Sequence, residues 1–270
     1  MSIVMLNWNR KHYSIQTLER MIKNTTIPHE FIFVDNGSID GTREYLKSME
    51  HKTNADKVTY VFNDKNLGVA GGRNSGLVKA IGDYLVTIDD DILVPTNWDV
   101  LMKDACDKIP KLGITGVNVE PAKYPVKVIS NTRVCPKNGN LGGACLCLPR
   151  RVFKTVGYYN YSDKDGGVLY GHEDSLMYYR LTHLGLMSAY IEPRGKHLDV
   201  DLDKAYRVAK NKAHKKGSIQ LQSMSRYLSK MRQTGDIYVG FDPNYNPPDK
   251  DIFTSELITG GRDGRTKNSA

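Results

Sequence analysis

The sequence predicts an α/β domain built on a mostly parallel central sheet flanked by helices. Short apolar runs rich in β-branched residues alternate with amphipathic stretches through the first hundred residues. This order of strand, helix and strand is typical of right-handed crossovers between parallel strands. In addition, 40% of the 270 residues are apolar, which is enough for a sizeable core.

The first half of the chain supplies the elements of this sheet in order. We expect strands in the apolar runs and helices in the amphipathic stretches between them. Asp40 or Thr42 can cap the second helix. The glycine-rich segment 66–77 opens a third helix, which we expect to end near Gly82. The predicted strands of this half cover residues 2–7, 30–34, 58–62 and 84–88.

The second half continues with shorter predicted elements. We expect one helix up to about Ile109 and another that begins at Pro149, where proline suits the first helical turn. Cys145 and Cys147 should face one side of the strand before that proline. Asp174 shares its helical spacing with apolar residues of a further helix. The predicted strands cover residues 113–119, 125–134, 142–148 and 187–191, and a loop rich in tyrosine and glycine spans roughly 157–171.

Three carboxylates, Asp89, Asp90 and Asp91, directly follow the strand at 84–88. Side chains alternate along a strand, so Asp89 and Asp91 should point to one side and Asp90 to the other. The carboxyl end of a strand is where open α/β sheets bind ligands. Two carboxylates on one side repel each other unless a cation lies between them, and oxygen ligands favour Mg²⁺ or Mn²⁺ with additional phosphate oxygens. The alternative is a solvated acidic turn.

Three further features are open to more than one interpretation. The glycine-rich turn can bring the backbone close to a ligand, and the amides of the next helix favour phosphate, although such turns are common. Asp174 either complements the dipole of its helix or faces the site as a general base. His197 follows a strand that could return it to the acidic triplet, whereas a single histidine is more often structural or exposed.

Four segments together resemble family 2 glycosyltransferases, which have the GT-A fold. They are residues 34–42, residues 66–74, the DxD motif Asp89–Asp91 and the ED motif in His172–Asp174, in the order that the family has them. The resemblance covers about residues 1–200. It implies a GT-A catalytic domain there, a Rossmann-like fold that binds nucleotide-diphospho-sugars.

The resemblance also implies roles for individual residues. Asp35 would hydrogen-bond the base of a UDP-sugar donor, and Mn²⁺ or Mg²⁺ would be held by Asp89, Asp91 and His197. Asp174 would be the catalytic base, and Glu173 would contact the acceptor or the donor sugar. Transfer by one base and one displacement would invert the anomeric carbon. The donor contacts that the resemblance implies are Asn7, Asn9, Asp35, Gly71, Gly72, Arg73, Asp89 and Asp90.

Composition limits the class of protein and suggests partners. The formal net charge is +8, which can attract nucleic acid, an anionic membrane surface or phosphorylated substrates. No run of about 18 apolar residues is present, so we expect no transmembrane helix. The four cysteines lack paired CxxC spacing, which argues against a zinc site and favours a reduced, cytoplasmic location.

The residues after the GT-A-like region form two predicted segments. We expect a basic helical extension at 201–234 and an irregular, partly disordered tail at 235–270. The lysines and arginines of 204–232 are either a solvated basic face or a docking surface for nucleic acid, another anionic polymer or membrane.

Two other functions compete with a sugar transferase. One is a nucleic-acid-binding protein built on an inactive GT-A core, although such a protein has no need for intact carboxylates. The other is a different nucleotide-using transferase, which gives Asp174 no role. The acceptor stays open among a glycan, a lipid-linked sugar, a protein and a hydroxylated base in DNA.

Overall fold

The computed structural model describes residues 1–49, 51–120, 124–159, 173–198 and 208. The strands in these parts are β1 Ser2–Asn7, β2 Glu30–Asp35, β3 Lys57–Phe62, β4 Tyr84–Asp89, β5 Ile92–Leu93, β6 Leu112–Val117, β7 Lys127–Ile129, β8 Thr132–Pro136, β9 Cys145–Pro149, β10 Met187–Ile191 and β11 Lys196–His197. The helices are α1 Lys11–Asn24, α2 Thr42–Lys47, α3 Gly68–Leu77, α4 Trp98–Lys108, α5 Arg150–Val156 and α6 Glu173–His183.

A sheet of nine described strands forms the centre, in the order β3-β2-β1-β4-β9-β6-β10-β8-β7. The first four strands are parallel, and β9 runs antiparallel between β4 and β6. The chain moves outward from β1 to β3 and then crosses back to place β4 on the other side of β1. Open α/β sheets bind ligands outside the strand ends at such a switch point. The carboxyl ends of β1 and β4 are therefore the expected place for a ligand site.

Helices cover both faces of the sheet, and the alternation along β1 shows how. Ile3 and Met5 are buried in a core that includes Leu18 of α1 and Trp98 of α4. The intervening residues of β1 face the opposite core, which α3, α5 and α6 cover. Because both faces of the central strands are buried, their sequences are mostly apolar without strict alternation, as the runs at 2–7 and 84–88 are. The predicted α/β class is confirmed.

Two predicted boundaries were wrong. The single strand expected at 125–134 is a hairpin of β7 and β8, whose turn residues Ser130 and Asn131 have φ values of 48° and 61°. Two consecutive positive φ values are typical of a tight two-residue hairpin turn. Helix α3 ends at Leu77 rather than near Gly82, because the chain continues in tight turns and then presents the amide of Ile81 to the buried carboxylate of Glu30, 2.8 Å away.

The prediction that Cys145 and Cys147 face one side of their strand is confirmed. Cys145 and Cys147 lie in the same core, and all four cysteines, which fall within the described ranges, are buried free thiols. In the part of the chain that the structure describes, no helix is long and apolar enough to cross a membrane. The predicted segments 201–234 and 235–270, apart from residue 208, and most of the loop at 157–171 lie outside the described residues.

Candidate active site

The predicted site residues converge on the carboxyl ends of β1, β2 and β4 and on the first turn of α6. Arginines connect these elements. Arg10, directly before α1, contacts the two aspartates that follow β4, and Arg73 of α3 contacts Asp89 at the end of β4 and Glu173 at the start of α6. Elements that are far apart in the sequence therefore meet at the switch point of the sheet, where open α/β folds have their ligand crevice.

Arg73 is the centre of this arrangement. Its side chain is 1% exposed, and Nη2 donates to Oδ1 of Asp89 at 2.8 Å and to the carbonyl of Gly143 at 2.7 Å. Nη1 lies 3.4 Å from Oε1 of Glu173, and the guanidinium lies over the ring of Tyr159 at 5.4 Å from its centroid. The family resemblance implies a position for Arg73 near the donor diphosphate or sugar. The structure shows that its guanidinium binds carboxylates of the protein.

Burial and neighbouring charges shift the pKa values of Arg73, Asp89 and Glu173. Burial alone would lower the pKa of Arg73, but Asp89, Tyr159 and Glu173 together hold that pKa above its ordinary value. Burial raises the pKa of Asp89, Arg73 opposes the shift, and Asp91 adds to it. Burial likewise raises the pKa of Glu173, with Arg73 opposing and Asp174 adding to the shift. One guanidinium is thus shared between two carboxylates whose ionised forms burial disfavours.

The acidic triplet is divided between two arginines. Strand β4 ends at Asp89, and the next two residues form a turn whose carboxylates both contact Arg10: Nη2 pairs with Asp90, and Nη1 lies 2.6 Å from Oδ2 of Asp91. The backbone of Asp90 is held as well, because its carbonyl accepts a hydrogen bond from Oγ1 of Thr17 in α1 at 2.9 Å. The prediction that Asp90 points away from Asp91 was wrong, because one guanidinium contacts both carboxylates and the alternation of a strand does not continue through the turn.

Asp91 and His197 are brought together as predicted. The short antiparallel pair of β5 and β11 aligns His197 with Ile92, and the amide of Leu198 donates to the carbonyl of Asp91 at 2.8 Å. Nε2 of His197 lies 3.7 Å from Oδ2 of Asp91, and Nδ1 lies 2.7 Å from the carbonyl of Leu198. A carbonyl only accepts hydrogen bonds, so Nδ1 donates to Leu198 and Nε2 is the ring nitrogen that faces Asp91.

This pair fits a divalent cation. Oδ1 of Asp91 is buried without a hydrogen-bond partner among the described residues. Carboxylate oxygens and imidazole nitrogens are common metal ligands. A metal-binding histidine often donates its other ring N–H to a carbonyl, as Nδ1 of His197 does here, and this hydrogen bond orients the ring. The described residues hold no group of three or more side chains that could bind a metal by themselves. Asp89, the third predicted ligand, is instead ion-paired with Arg73.

The predicted base-binding residues lie at the ends of β1 and β2. Asp35 is fully buried, and its carboxylate accepts from Nε of Arg43 at 2.9 Å and from the amide of Ser38 at 3.3 Å. Asn7 is also buried, and its amide donates to the carbonyls of Met5 and Val34.

Asn9 joins the loops that follow these two strands. Its side-chain Oδ1 accepts a hydrogen bond from the backbone amide of Ile39 at 2.7 Å, and its backbone amide donates to Oγ of Ser38 at 2.9 Å. Asn9 adopts a positive φ of 53°, a conformation that asparagine tolerates well. The structure thus gives Asn7, Asn9 and Asp35 defined partners within the protein.

The glycines of α3 allow close packing of the helix on the sheet. A Cβ atom added to Gly72 would lie 2.5 Å from Cδ1 of Leu6, and one added to Gly76 would collide with Val4 and lie 2.7 Å from Cγ2 of Val34. Gly71 is buried in the same helix. This close approach of helix to strand is one of the roles that glycines have in nucleotide-binding α/β folds, and it fixes the position of Arg73.

Asp174 lies in the first turn of α6, partly buried, beside Glu173. Its Oδ1 accepts from the amide of Ser175 at 2.8 Å, so it does complement the N-terminal end of the helix. Met177 and Leu181 of the same helix are buried against the sheet. His172, the first residue of the predicted motif, lies outside the described residues.

Sequence reasoning missed three residues of this site: Arg10, Arg43 and Tyr159. Arg10 stood in a polar turn, and nothing local distinguishes such an arginine from a solvated one. Tyr159 packs between α3 and β4, since its backbone forms two hydrogen bonds with the amide side chain of Asn74 and its hydroxyl lies 3.1 Å from Oγ1 of Thr87. The only signal in the sequence for Arg10 and Arg43 was that each lies a short distance along the chain after a predicted strand that is followed by polar residues.

Comparison with known proteins shows what this chain is similar to. The model of the family described as glycosyl transferase family 2 matches residues 2–132. The cholesterol galactosyltransferase of Borreliella burgdorferi is 35% identical over 97 residues, which are 34% of this chain and 26% of that protein.

Two solved structures share the fold. The mannosyltransferase PcManGT from Pyrobaculum calidifontis, in complex with GDP-Man and Mn²⁺, has a TM-score of 0.54 at 19% identity and covers 72% of this chain and 54% of its own. GalNAc-T7 with UDP, GalNAc and Mn²⁺ has a TM-score of 0.56 at 16% identity and covers 73% of this chain and 43% of its own. The predicted GT-A fold is thereby confirmed. Residues 2–132 are similar to glycosyl transferase family 2, and the matched segment spans less than two thirds of the length of the relatives it matches.

Proposed function

We propose that this protein is an inverting, metal-dependent glycosyltransferase that moves a sugar from a UDP-sugar to a hydroxyl group. The observation that carries the proposal is the double contact of Arg73, which holds Asp89 of the DxD motif and Glu173 of the ED motif on one guanidinium. A donor-binding acid and an acceptor-side acid pair thereby line the same crevice at the switch point of the sheet.

In this proposal the cation is held by Asp91 and His197. Oδ1 of Asp91 and Nε2 of His197 are the atoms that the geometry makes available, and phosphate oxygens of the donor complete the coordination. When bound, a divalent ion such as Mn²⁺ or Mg²⁺ neutralises the charge that develops on the leaving diphosphate. Asp89 contributes to donor binding by holding Arg73 in place and by contacting the ribose of the donor.

Asp174 is the proposed base. An acceptor oxygen attacks the anomeric carbon, the bond from that carbon to the β-phosphate oxygen breaks, and its electron pair stays on the leaving UDP. Asp174 takes the proton of the acceptor hydroxyl during the attack. A single displacement inverts the anomeric carbon. Glu173, held by Arg73, contacts the acceptor or the donor sugar.

The ends of β1 and β2 are the proposed nucleoside site. Asn7, Asn9 and Asp35 lie there, with Gly71 and Gly72 in the adjacent helix. Asp35 is covered and bound by Arg43, so recognition of the base by its carboxylate requires that the Arg43 contact be shared or displaced. Uracil is the proposed base. The two similar structures contain GDP-Man and UDP, so both nucleosides belong in the test.

The domain boundaries and the acceptor complete the proposal. Residues 1–200 form the GT-A catalytic domain, 201–234 a basic extension and 235–270 an irregular tail. The acceptor is a hydroxyl-bearing glycan or a hydroxylated base in DNA, with residues 204–232 as the contact to nucleic acid or another anionic polymer. A cytoplasmic location stays a prediction.

A donor screen by nucleotide release tests the function. Purified protein is incubated with UDP-sugars and GDP-mannose in Mn²⁺, with and without EDTA, and released UDP or GDP is measured. We expect release from a UDP-sugar that EDTA abolishes and that Asp174→Asn reduces strongly. Tight, salt-sensitive DNA binding with no hydrolysis or transfer for any donor would instead favour a nucleic-acid-binding protein on an inactive core.

A further inference from the structure

Arg10 has no assigned role in the proposed chemistry, yet it occupies the acidic turn that the cation must enter. We propose that Arg10 is a built-in counter-cation of Asp90 and Asp91 that competes with a divalent cation for Asp91 and sets the metal affinity of the free protein. This inference rests on the proposed metal site. It predicts that the cation binds well only when a nucleoside diphosphate supplies further oxygen ligands.

The contacts of Arg10 support the first step. Its side chain is 9% exposed, Nη2 is paired with Oδ1 of Asp90, and Nη1 lies 2.6 Å from Oδ2 of Asp91. A guanidinium that spans two carboxylates neutralises one of their two negative charges. The turn therefore carries less negative charge in the free protein than its two carboxylates alone would.

The remaining ligands support the second step. With Oδ2 of Asp91 bound by Arg10, the pair of Asp91 and His197 keeps two atoms available, Oδ1 of Asp91 and Nε2 of His197, and Asp89 has its Oδ1 bound by Arg73. Mn²⁺ and Mg²⁺ take about six ligands. Two protein ligands beside a resident cation bind such an ion weakly, and diphosphate oxygens both complete the coordination and add negative charge.

The fold holds Arg10 in this position. Its backbone carbonyl accepts hydrogen bonds from the amides of Tyr13 and Ser14 at the start of α1, so the first turn of the helix fixes its location. Thr17 of the same helix anchors the carbonyl of Asp90, and the amide of Trp8 lies 3.4 Å from Oδ2 of Asp90. These hydrogen bonds hold the start of α1 against the aspartate turn.

The test measures Mn²⁺ binding to the full chain without any nucleotide, by the electron paramagnetic resonance signal of free Mn²⁺. We expect Arg10→Gln to bind Mn²⁺ roughly tenfold more tightly than the wild type, because a nearby positive charge is removed. Arg10→Lys should show a smaller gain, since one ammonium cannot span both carboxylates. The matched control is Arg133→Gln, which removes an exposed arginine paired with Glu192 and should leave Mn²⁺ affinity unchanged.

A double variant assigns the effect to Asp91. The gain of Arg10→Gln should disappear in Arg10→Gln/Asp91→Asn. Equal or weaker Mn²⁺ binding by a folded Arg10→Gln protein overturns the inference, because a purely structural arginine would lower stability without raising affinity. If Arg10→Gln does not fold, unchanged affinity in Arg10→Lys overturns it equally. The readout needs no sugar donor, so a failed transfer assay with an intact gain in affinity rejects the proposed function alone.

Discussion

Arg73 and Asp89 form an ion pair, with Nη2 of the guanidinium 2.8 Å from Oδ1 of the carboxylate. The arginine comes from α3 and the aspartate from the end of β4, and the other nitrogen of the same guanidinium reaches Glu173 at the start of α6. Since the arginine is buried, loss of this single side chain leaves two carboxylates uncompensated beside each other.

The first prediction concerns Arg73→Gln. Breaking a buried ion pair by removing one partner costs about 3 kcal/mol, so the free energy of unfolding should fall by about that amount. Urea unfolding followed by circular dichroism measures it. Donor turnover should fall as well, because Asp89 and Glu173 then repel each other and lose their orientation.

A surface arginine provides the control for this measurement. Arg133→Gln removes an exposed pair with Glu192 and should change the free energy of unfolding by less than about 1 kcal/mol. An Arg73→Gln protein as stable as Arg133→Gln would show that the guanidinium does not hold the crevice together.

The second prediction concerns the base. Asp174→Asn should lower kcat by roughly 10²–10⁴-fold while the affinity for the donor nucleotide changes little, because only proton removal from the acceptor is lost. Single-turnover transfer measures the first quantity, and calorimetric titration with UDP in Mn²⁺ measures the second. Near-normal turnover with unaltered UDP binding would reject Asp174 as the base.

Glu173→Gln separates the two neighbouring acids. This variant removes a partner of Arg73, so we expect it to lower both stability and turnover, whereas Asp174→Asn should leave stability nearly unchanged. The same pattern of loss for both variants would place the two acids in one role.

The third prediction concerns the cation ligands. His197→Gln should raise the Mn²⁺ concentration for half-maximal donor hydrolysis roughly tenfold, because an imidazole ligand is lost while Asp91 remains. Asp91→Asn should have the larger effect and leave little turnover at any Mn²⁺ concentration. His183→Gln, at the far end of α6, is the matched histidine control and should behave like the wild type. An unshifted Mn²⁺ dependence in His197→Gln would remove this residue from the metal site.

Sequence reasoning reached the parts of this architecture that local pattern encodes. The apolar runs located β1, β2 and β4, and the polar residues at their ends located the crevice, because parallel strands place their carboxyl ends at one edge. It could not reveal the antiparallel direction of β9, since a strand buried on both faces is continuously apolar in either direction. The turn at Ser130–Asn131 was missed because it lacks the glycine that usually marks such hairpins.

The arginine contacts were beyond sequence reasoning for a different reason. Arg10 and Asp91 are separated by 81 positions, and Arg73 and Glu173 by 100. No periodicity connects residues at such distances, and a single arginine in a turn or a helix is compatible with a solvated surface. Only the tertiary structure shows that these two side chains divide the acidic triplet between them.

The fourth prediction concerns Gly76, through which α3 approaches the sheet. A Cβ atom here would collide with Val4 of β1 and lie 2.7 Å from Cγ2 of Val34 of β2, so Gly76→Ala should push α3 outward and cost about 1–3 kcal/mol of unfolding free energy. Because Arg73 is on the same helix, we also expect weaker donor binding. Lys79→Ala, an exposed change just after the helix, is the control for urea unfolding and UDP titration. If Gly76→Ala retained both the stability and the UDP affinity of that control, close helix–strand packing would not be what positions Arg73.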